Sequence, residues 1–496
     1  MPYELRLKEG RKVAGNAKPV LIIGAGVAGG IVAEVLGKSQ NRDFEPVGFV
    51  DDDPEKQKLI LHGLPVLGKR EDIPALVDQY NVKEIIIAIP SASGRIVDQI
   101  VEICHQSKAH LKILPGFYDL ITGKIKTSNI RDIEVDDLLG REPVSLDVEQ
   151  IAGYLADQVV LVTGAGGSIG SELSRQVARF SPKKLILLGR GENSIYEAEL
   201  NLKEEFPDLR LDTEIGDIRD PVRMNRLFDR HRPDVVFHAA AHKHVHFMEK
   251  DPYEAVKNNI MGTKNVAESA YRTGAGIFVL ISSDKAVNPA SIMGATKRVT
   301  EMVIQNMNRR GGTRFVAVRF GNVLGSRGSV IPLFKRQIAR GGPVTITHPD
   351  MVRFFMTTVE AAQLVIQAGV QARGGEIFIL DMGQPVKVLD LAKKLIRLSG
   401  FEPETDIPIK FTGMRPGEKL VEQLVGEDEG IVPTRHERIF AVSEHTRDFT
   451  DLEALLETFE NPDFSFDEVD TVNLLQKVLP NFKNPTWGGV FANDSL

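Results

Sequence analysis

A chain of 496 residues exceeds what one hydrophobic core usually holds, so two or three domains are expected. Its 42% hydrophobic and 26% charged content excludes a disordered chain. A formal charge of -7 speaks against nucleic acid as the main partner, while leaving room for a local basic pocket. The single Cys104 rules out an intrachain disulfide and most thiolate metal sites, which fits a reducing, cytoplasmic setting.

Residues 1–17 form an N-terminal segment, and the first periodic element follows. The run from Pro19 to Leu36 carries no charge until Glu34, yet Gly24, Gly26, Gly29 and Gly30 suit a strand, a phosphate turn and a helix rather than a membrane span. Gly24, Gly26 and Gly29 follow G-x-G-x-x-G, and the strand from Pro46 to Val50 ends in Asp51, where an acid can hold a ribose hydroxyl. The alternative is that Asp52-Asp53-Pro54 is a turn and helix cap, with the glycines serving strand-helix packing. No candidate catalytic group lies near this unit's strand ends, so it reads as a regulatory or vestigial nucleotide domain. Alternating strands and helices make residues 18–140 a doubly wound parallel sheet. A linker is expected over 141–157, where Leu139 to Val144 carries turn residues.

A second strand and glycine turn open at Val159, and residues 158–496 are expected as a catalytic Rossmann-like domain with a smaller C-terminal substrate lobe. The fold class is α/β, with two doubly wound sheets. Gly164, Gly167 and Gly170 follow G-x-x-G-x-x-G, and with Ser168 and Ile169 they place backbone N–H groups at a helix N-terminus, where a pyrophosphate binds. The next strand ends in Arg190 rather than an acid, and a guanidinium there favours NADP over NAD. Asp217 and Ile218, after the third strand, suit the adenine. The fourth strand runs into His238 to His246. Alternate histidines tempt a zinc assignment, but no cysteine or nearby carboxylate completes a ligand set, so no metal is expected. Ala239 and Ala240 instead let the backbone pass close under a nicotinamide, and Lys243 aims at a phosphate.

Tyr253 and Lys257 have the spacing Tyr-x-x-x-Lys but follow the fourth strand, so they read as a surface helix pair. After the fifth strand come Ser283-Asp284-Lys285 and then Met293-Gly294-Ala295-Thr296-Lys297, at the sheet edge where open α/β proteins bind ligands. Met293 and Lys297 lie one helical turn apart. A thioether has no proton to give, so acid and base must come from elsewhere, and Asp284 and Lys285 are the candidates.

From Gly164 to Gly417 the chain resembles the nucleoside-diphosphate-sugar 4,6-dehydratases of bacterial polysaccharide biosynthesis, extended short-chain dehydrogenase/reductases in which methionine replaces the usual catalytic tyrosine. The resemblance rests on Thr163 to Gly170, His238 to Val245, Ser283 to Lys285, Asn288-Pro289, Met293 to Arg298, Arg319 to Leu324, and Arg415 to Leu420. It extends over most of the chain and fits the long, two-domain members, which usually begin with membrane helices absent from this sequence. His242 and His246 depart from the Tyr and Pro more common in that family.

The resemblance implies a bound NADP or NAD, a UDP-sugar substrate and a homo-oligomer, with membrane association in full-length relatives only. Hydride would leave carbon 4 for the cofactor and return to carbon 6. Lys285, neutral beside cationic Lys297, would take the carbon 5 proton. Asp284 would protonate the departing 6-hydroxyl, and Ser283 would bond the 4-oxygen. Lys297 would hold the nicotinamide ribose, leaving water to relay the 4-hydroxyl proton. Arg327, Arg353 and Arg415 would hold the diphosphate, and Asn322 and Glu418 would contact the phosphate or sugar and the uridine ribose. UDP-N-acetylglucosamine is the expected substrate. A UDP-sugar 4-epimerase and a non-catalytic nucleotide-sensing assembly subunit are the competing readings.

Overall fold

Two β-branched strands, each running into a glycine turn, seed two α/β units in the computed structural model. Residues 17–38, 43–105, 107, 109–114, 130–138, 144, 146–443, 449–461 and 467–484 are described. The two compact units are Met1–Glu142 with Lys393–Pro403, and Pro143–Ala392 with Glu404–Leu496.

The first unit has strands β1 (Lys18–Ile23), β2 (Phe44–Val50), β3 (Ile60–Leu61), β4 (Leu64–Gly68), β5 (Glu84–Ile87), β6 (His110–Ile113) and β7 (Arg131–Asp132). They lie in the order β3-β4-β2-β1-β5-β6-β7. The inner pairings are parallel, and β3 and β7 close the edges antiparallel. Alternate residues of β1 enter opposite cores: Leu21 and Ile23 pack with Ile85 and Ile100, while Val20 and Ile22 pack with Val32 and Phe49. Burial on both faces is what parallel sheets require.

In the second unit, β8 (Val159–Thr163), β9 (Lys184–Gly189), β10 (Leu211–Ile215), β11 (Val235–His238), β12 (Ile277–Ile281) and β13 (Arg314–Arg319) pair in the order β10-β9-β8-β11-β12-β13. All five pairings are parallel. The order reverses between β8 and β11, which opens a crevice at the carboxyl ends of the strands. Val279 and Val162 bury into one layer, Phe278 and Leu161 into the other.

Two expectations need correction. Within the expected linker, 141–157, residues 141–143 and 145 lie outside the described residues, but Val148–Leu155 is a helix whose Ile151 and Leu155 are fully buried in the second unit's core. The C-terminal part is also more than a lobe. Ile377–Leu380 pairs with β13, and Ile439–Val442 and Ile431–Pro433 extend the same sheet antiparallel. What projects over the crevice are short pairs such as Asn322–Val323 with Phe355–Met356 and Val352–Arg353 with Val386–Lys387. Among the described residues, no helix is long and apolar enough to cross a membrane.

Arg319, at the end of β13, has no exposed surface, and a buried charge survives only when paired and hydrogen-bonded. Its Nε and Nη2 each donate to Glu301 at 2.7 Å, while Nη1 reaches Glu429 at 2.6 Å. Arg298 bonds both carboxylates at 2.8 Å. Burial alone would raise the pKa of Glu429, but the Arg319 hydrogen bonds and the two guanidinium charges bring it down to about 2. Replacing Arg319 by leucine leaves two carboxylates sharing one cation. Urea unfolding should show Arg319→Leu destabilised by about 3–5 kcal/mol, whereas a loss under about 1 kcal/mol would contradict the role given to this network.

Candidate functional site

The crevice holds a cavity of about 660 Å³. One wall is the turn after β8. Gly164 sits at φ +66°, where an L side chain is strained, and a Cβ there would also strike Ala239. A Cβ on Gly170 would lie 2.2 Å from the Gly164 carbonyl, so the helix Ser168–Ala178 meets the turn with no room for a side chain. Gly167, Ser168, Ile169 and Gly170 line the cavity with Ala239. Backbone N–H groups at such a helix N-terminus favour an anion.

Arg327, expected on the substrate diphosphate, belongs to this wall instead. Its backbone N–H donates to Ser168 Oγ at 3.0 Å, its Nη1 to the Gly166 carbonyl at 3.1 Å and its Nη2 to Glu197 at 3.0 Å. Arg190 is not among the residues that line the cavity; its side chain is 57% exposed and stands 3.8 Å from Asp217. Asp217 is occupied: Arg219 reaches it at 2.6 Å, and that pairing holds its pKa low against the opposing effect of burial. Ile218 is buried under Gly262 and Ala240 packs into the core, so neither faces the cavity.

Two of the histidines hold structure, and His242 and His244 also line the cavity. His238 is buried between Thr163 Oγ1 at 2.7 Å and Thr263 Oγ1 at 3.0 Å, and desolvation lowers its pKa to about 3. His242 bonds Glu254 at 3.1 Å, which in turn pairs with Arg219. Asn259, in a π-helical turn, accepts from His242 N and donates to His242 O and Thr296 Oγ1, tying this loop to the helix Ile292–Asn308. Lys257 packs its ammonium 5.5 Å from the Tyr253 ring centroid. Lys243 lines the cavity, and burial lowers its pKa.

The opposite wall is built where β12 ends. Ser282 Oγ donates to Glu301 at 2.6 Å, and Asp284 N donates to the Phe320 carbonyl at 3.0 Å, so the loop is fixed to β13 and its ion-pair network. Ser283, Lys285, Met293 and Lys297 line the cavity. The turn and the helix touch through Gly294, whose Cβ would fall 2.3 Å from the Lys285 carbonyl. Ser291 and Glu249 cap that helix by accepting from Gly294 N and Ile292 N.

Lys285 is not the neutral base that the sequence suggested. Its Nζ lies 2.9 Å from Asp284 Oδ1 and 3.4 Å from both Asn322 Oδ1 and Glu422 Oε1. Burial favours the amine, but the charges of Asp284 and Glu422 outweigh it and hold the pKa above the ordinary lysine value. Lys297 goes the other way. Its Nζ donates to the Ile281 carbonyl at 2.5 Å, and desolvation lowers its pKa to about 8. Asp284 is fully buried and does not line the cavity; its Oδ2 has no hydrogen-bond partner among the described residues and lies under Gly321, which does line it. Ser283 Oγ bonds Asp284 Oδ1 at 2.8 Å, linking the buried acid to the cavity surface.

Asn322, Arg353, Arg415 and Glu418 complete the lining. Arg353 is less free than a diphosphate fork requires. Its Nη1 donates to the Val352 and Leu420 carbonyls and its Nη2 to the Lys419 carbonyl, so it also anchors the Arg415–Leu420 segment. Sequence reasoning passed over Glu422, although it stands two residues beyond that motif, and over the Glu301–Arg319–Glu429 network, which no local pattern marks.

The first unit has its own cavity of about 670 Å³, lined by Gly24, Gly26, Asp51, Asp52, Lys56 and Arg70 among others. Asp51, expected on a ribose, accepts from Ala25 N at 2.8 Å, Asp53 N at 3.0 Å and Lys56 Nζ at 3.1 Å. Its carboxylate closes the glycine turn from within while it lines the cavity. Gly29 is a packing glycine, because a Cβ there would lie 1.9 Å from the Gly24 carbonyl.

A family model described as polysaccharide biosynthesis protein matches residues 160–444, and one described as CoA-binding domain matches residues 6–115. The probable polysaccharide biosynthesis protein EpsC of Bacillus subtilis is 53% identical over 84% of this chain and 70% of its own length. A UDP-N-acetylglucosamine 4,6-dehydratase (inverting) of Campylobacter jejuni is 34% identical over 57% of this chain and 82% of its own. A UDP-glucose 4-epimerase of Rickettsia felis shares the same 34% identity, over 55% of this chain and 79% of its own. Among solved structures, Pen from Bacillus thuringiensis is 37% identical, with a TM-score of 0.54 over 60% of this chain and 90% of that one. The chain therefore belongs to the polysaccharide biosynthesis protein family, among its nucleotide-sugar dehydratases and epimerases.

Proposed function

We propose that the protein is an NAD(P)-dependent UDP-N-acetylglucosamine 4,6-dehydratase that produces a UDP-4-keto-6-deoxy-N-acetylhexosamine. The observation that carries this reading is the Asp284–Lys285 ion pair at the end of β12, beside Met293 and Lys297 on the cavity wall. A 4-epimerase removes and returns hydride at carbon 4 alone, and it has no use for an acid and a base at carbons 6 and 5. The 34% identity to the Rickettsia epimerase keeps that reaction as the second reading.

The glycine turn and Arg327 would hold the cofactor pyrophosphate, Lys297 the nicotinamide ribose, and Arg190 a 2′-phosphate, which favours NADP. A nicotinamide so held supplies the hydride chemistry, acceptance from carbon 4 and return to carbon 6. The chain's own residues do the proton work. Ser283 bonds the 4-oxygen and connects it to Asp284. Lys285 removes the carbon 5 proton, now acidified by the adjacent ketone, and Asp284, which meets the cavity through Ser283 Oγ, supplies the proton for the departing 6-hydroxyl. The substrate diphosphate is met by Arg415 and the remaining donors of Arg353, with Asn322 and Glu418 on the sugar and ribose.

Incubated with UDP-N-acetylglucosamine, the protein should yield a product lighter by one water. Mass spectrometry showing only unchanged mass, with isomerisation, would move the assignment to the epimerase. Lys285→Ala should lower dehydration by roughly 100-fold or more while cofactor binding persists, and full turnover in that variant would remove Lys285 from the chemistry. Arg190→Glu should weaken NADP about tenfold and leave NAD unchanged in a cofactor titration; equal effects on both would show that Arg190 does not read the 2′-phosphate.

A further inference from the structure

A base at Lys285 must be an amine, yet the site holds an ammonium, so the proton needs somewhere to go. Asp284 is a carboxylate at rest, but in the proposed reaction it takes the 4-hydroxyl proton through Ser283 and keeps it for the leaving hydroxyl, so it is not available to Lys285. Among the described residues, one other carboxylate stands within 4.0 Å of Lys285 Nζ, and it is Glu422 at 3.4 Å.

Glu422 is placed with care. Its side chain is 4% exposed and does not line the cavity, so it meets Lys285 from behind. The neighbouring backbone is pinned to Val352 and Arg353: Val352 N donates to the Leu420 carbonyl at 3.1 Å, and Val421 bridges to Val352. Its Oε2 is buried with no hydrogen-bond partner among the described residues. The charged groups around it are Lys285, with Asp284 beyond; Arg353, whose Nη2 stands 4.0 Å away; and Lys419, held on the Val287 carbonyl at 2.8 Å and sensing both carboxylates.

We propose that Glu422 is the proton acceptor for Lys285, a positioning residue that turns the ammonium into the amine used at carbon 5. The inference rests on the dehydratase reading. The N–H bond of Lys285 breaks with its electron pair left on nitrogen, and the proton joins Glu422 Oε1, so the ion pair becomes a neutral amine and a carboxylic acid. The amine takes the carbon 5 proton. The C5–H pair becomes the C5–C6 double bond, and the C6–O bond breaks as Asp284 delivers its proton to the leaving oxygen. The proton Asp284 delivers is the one it took from the 4-hydroxyl when hydride left carbon 4; Lys285 returns its proton to carbon 5 when hydride reaches carbon 6, and Glu422 then hands its proton back to Lys285, which restores both ion pairs.

The test compares wild type, Glu422→Gln and Glu422→Asp with UDP-N-acetylglucosamine in deuterated buffer across neutral to alkaline pH. Glutamine keeps the size and a hydrogen-bond acceptor but cannot take the proton, so Lys285 must lose it to solvent. Water loss and deuterium entry at carbon 5 should fall roughly 100-fold at neutral pH and recover about tenfold for each pH unit raised, a rise absent from wild type and from Glu422→Asp. Reduction of bound nicotinamide by carbon 4 oxidation should persist in the glutamine variant. A wild type that dehydrates beside a glutamine variant of equal rate overturns the inference alone. So does a pH-independent fall that depresses carbon 4 oxidation and carbon 5 exchange together, which marks a structural role. A wild type that never releases water overturns the dehydratase reading and this inference with it.

Discussion

Arg319 and Glu301 carry opposite charges with no exposed surface, and the geometry of the catalytic wall depends on their meeting. Glu301 lies on the helix that carries Met293 and Lys297, Arg319 ends the strand beside β12, and Ser282 Oγ bonds the same carboxylate. Helix, strand and loop are thus joined at one carboxylate. Glu429 and Arg298 complete the charge balance, which brings the segment after the Arg415–Leu420 motif into the same network. Buried ion pairs of this kind are weak sources of net stability but strict about geometry, because each unpaired member costs several kcal/mol, on the order of 3–5.

That rigidity gives the missing tyrosine a physical context. Met293 is 3% exposed, packed on the helix face that borders the cavity, and it offers shape without a proton. In the proposed reaction the proton chemistry sits one layer deeper, where Asp284, Lys285 and Glu422 place two carboxylates around one ammonium, with Arg353 and Lys419 nearby. The two lysines of the wall differ for a plain reason. Lys297 meets a carbonyl and loses proton affinity through desolvation, whereas Lys285 meets carboxylates and gains it.

Much of the architecture is legible in the sequence because it is written in short-range patterns. The β-branched runs at Val20 and Val159, the glycine spacings, and the position of Ser283-Asp284-Lys285 after an apolar strand each encode a local geometry that survives into the structure. What could not be read is set by contacts between distant residues. Nothing near Glu301 announces Arg319, and nothing near Lys285 announces Glu422, 137 positions along the chain from it by subtraction of their numbers. Asp51 shows the same limit: spacing places an acid at the strand end, but only three dimensions show that it also holds Ala25, Asp53 and Lys56. Arg327 moved to the glycine turn because the loop after β13 folds back over Ser168.

The central claim is that acid and base act at carbons 6 and 5 from the loop after β12. Proton NMR of the product formed from UDP-N-acetylglucosamine in deuterated water tests it directly. The account predicts a 6-methyl group beside a 4-keto (or hydrated) carbon, with deuterium at carbon 5. A product that keeps its 6-hydroxymethyl group and its carbon 5 proton would contradict it.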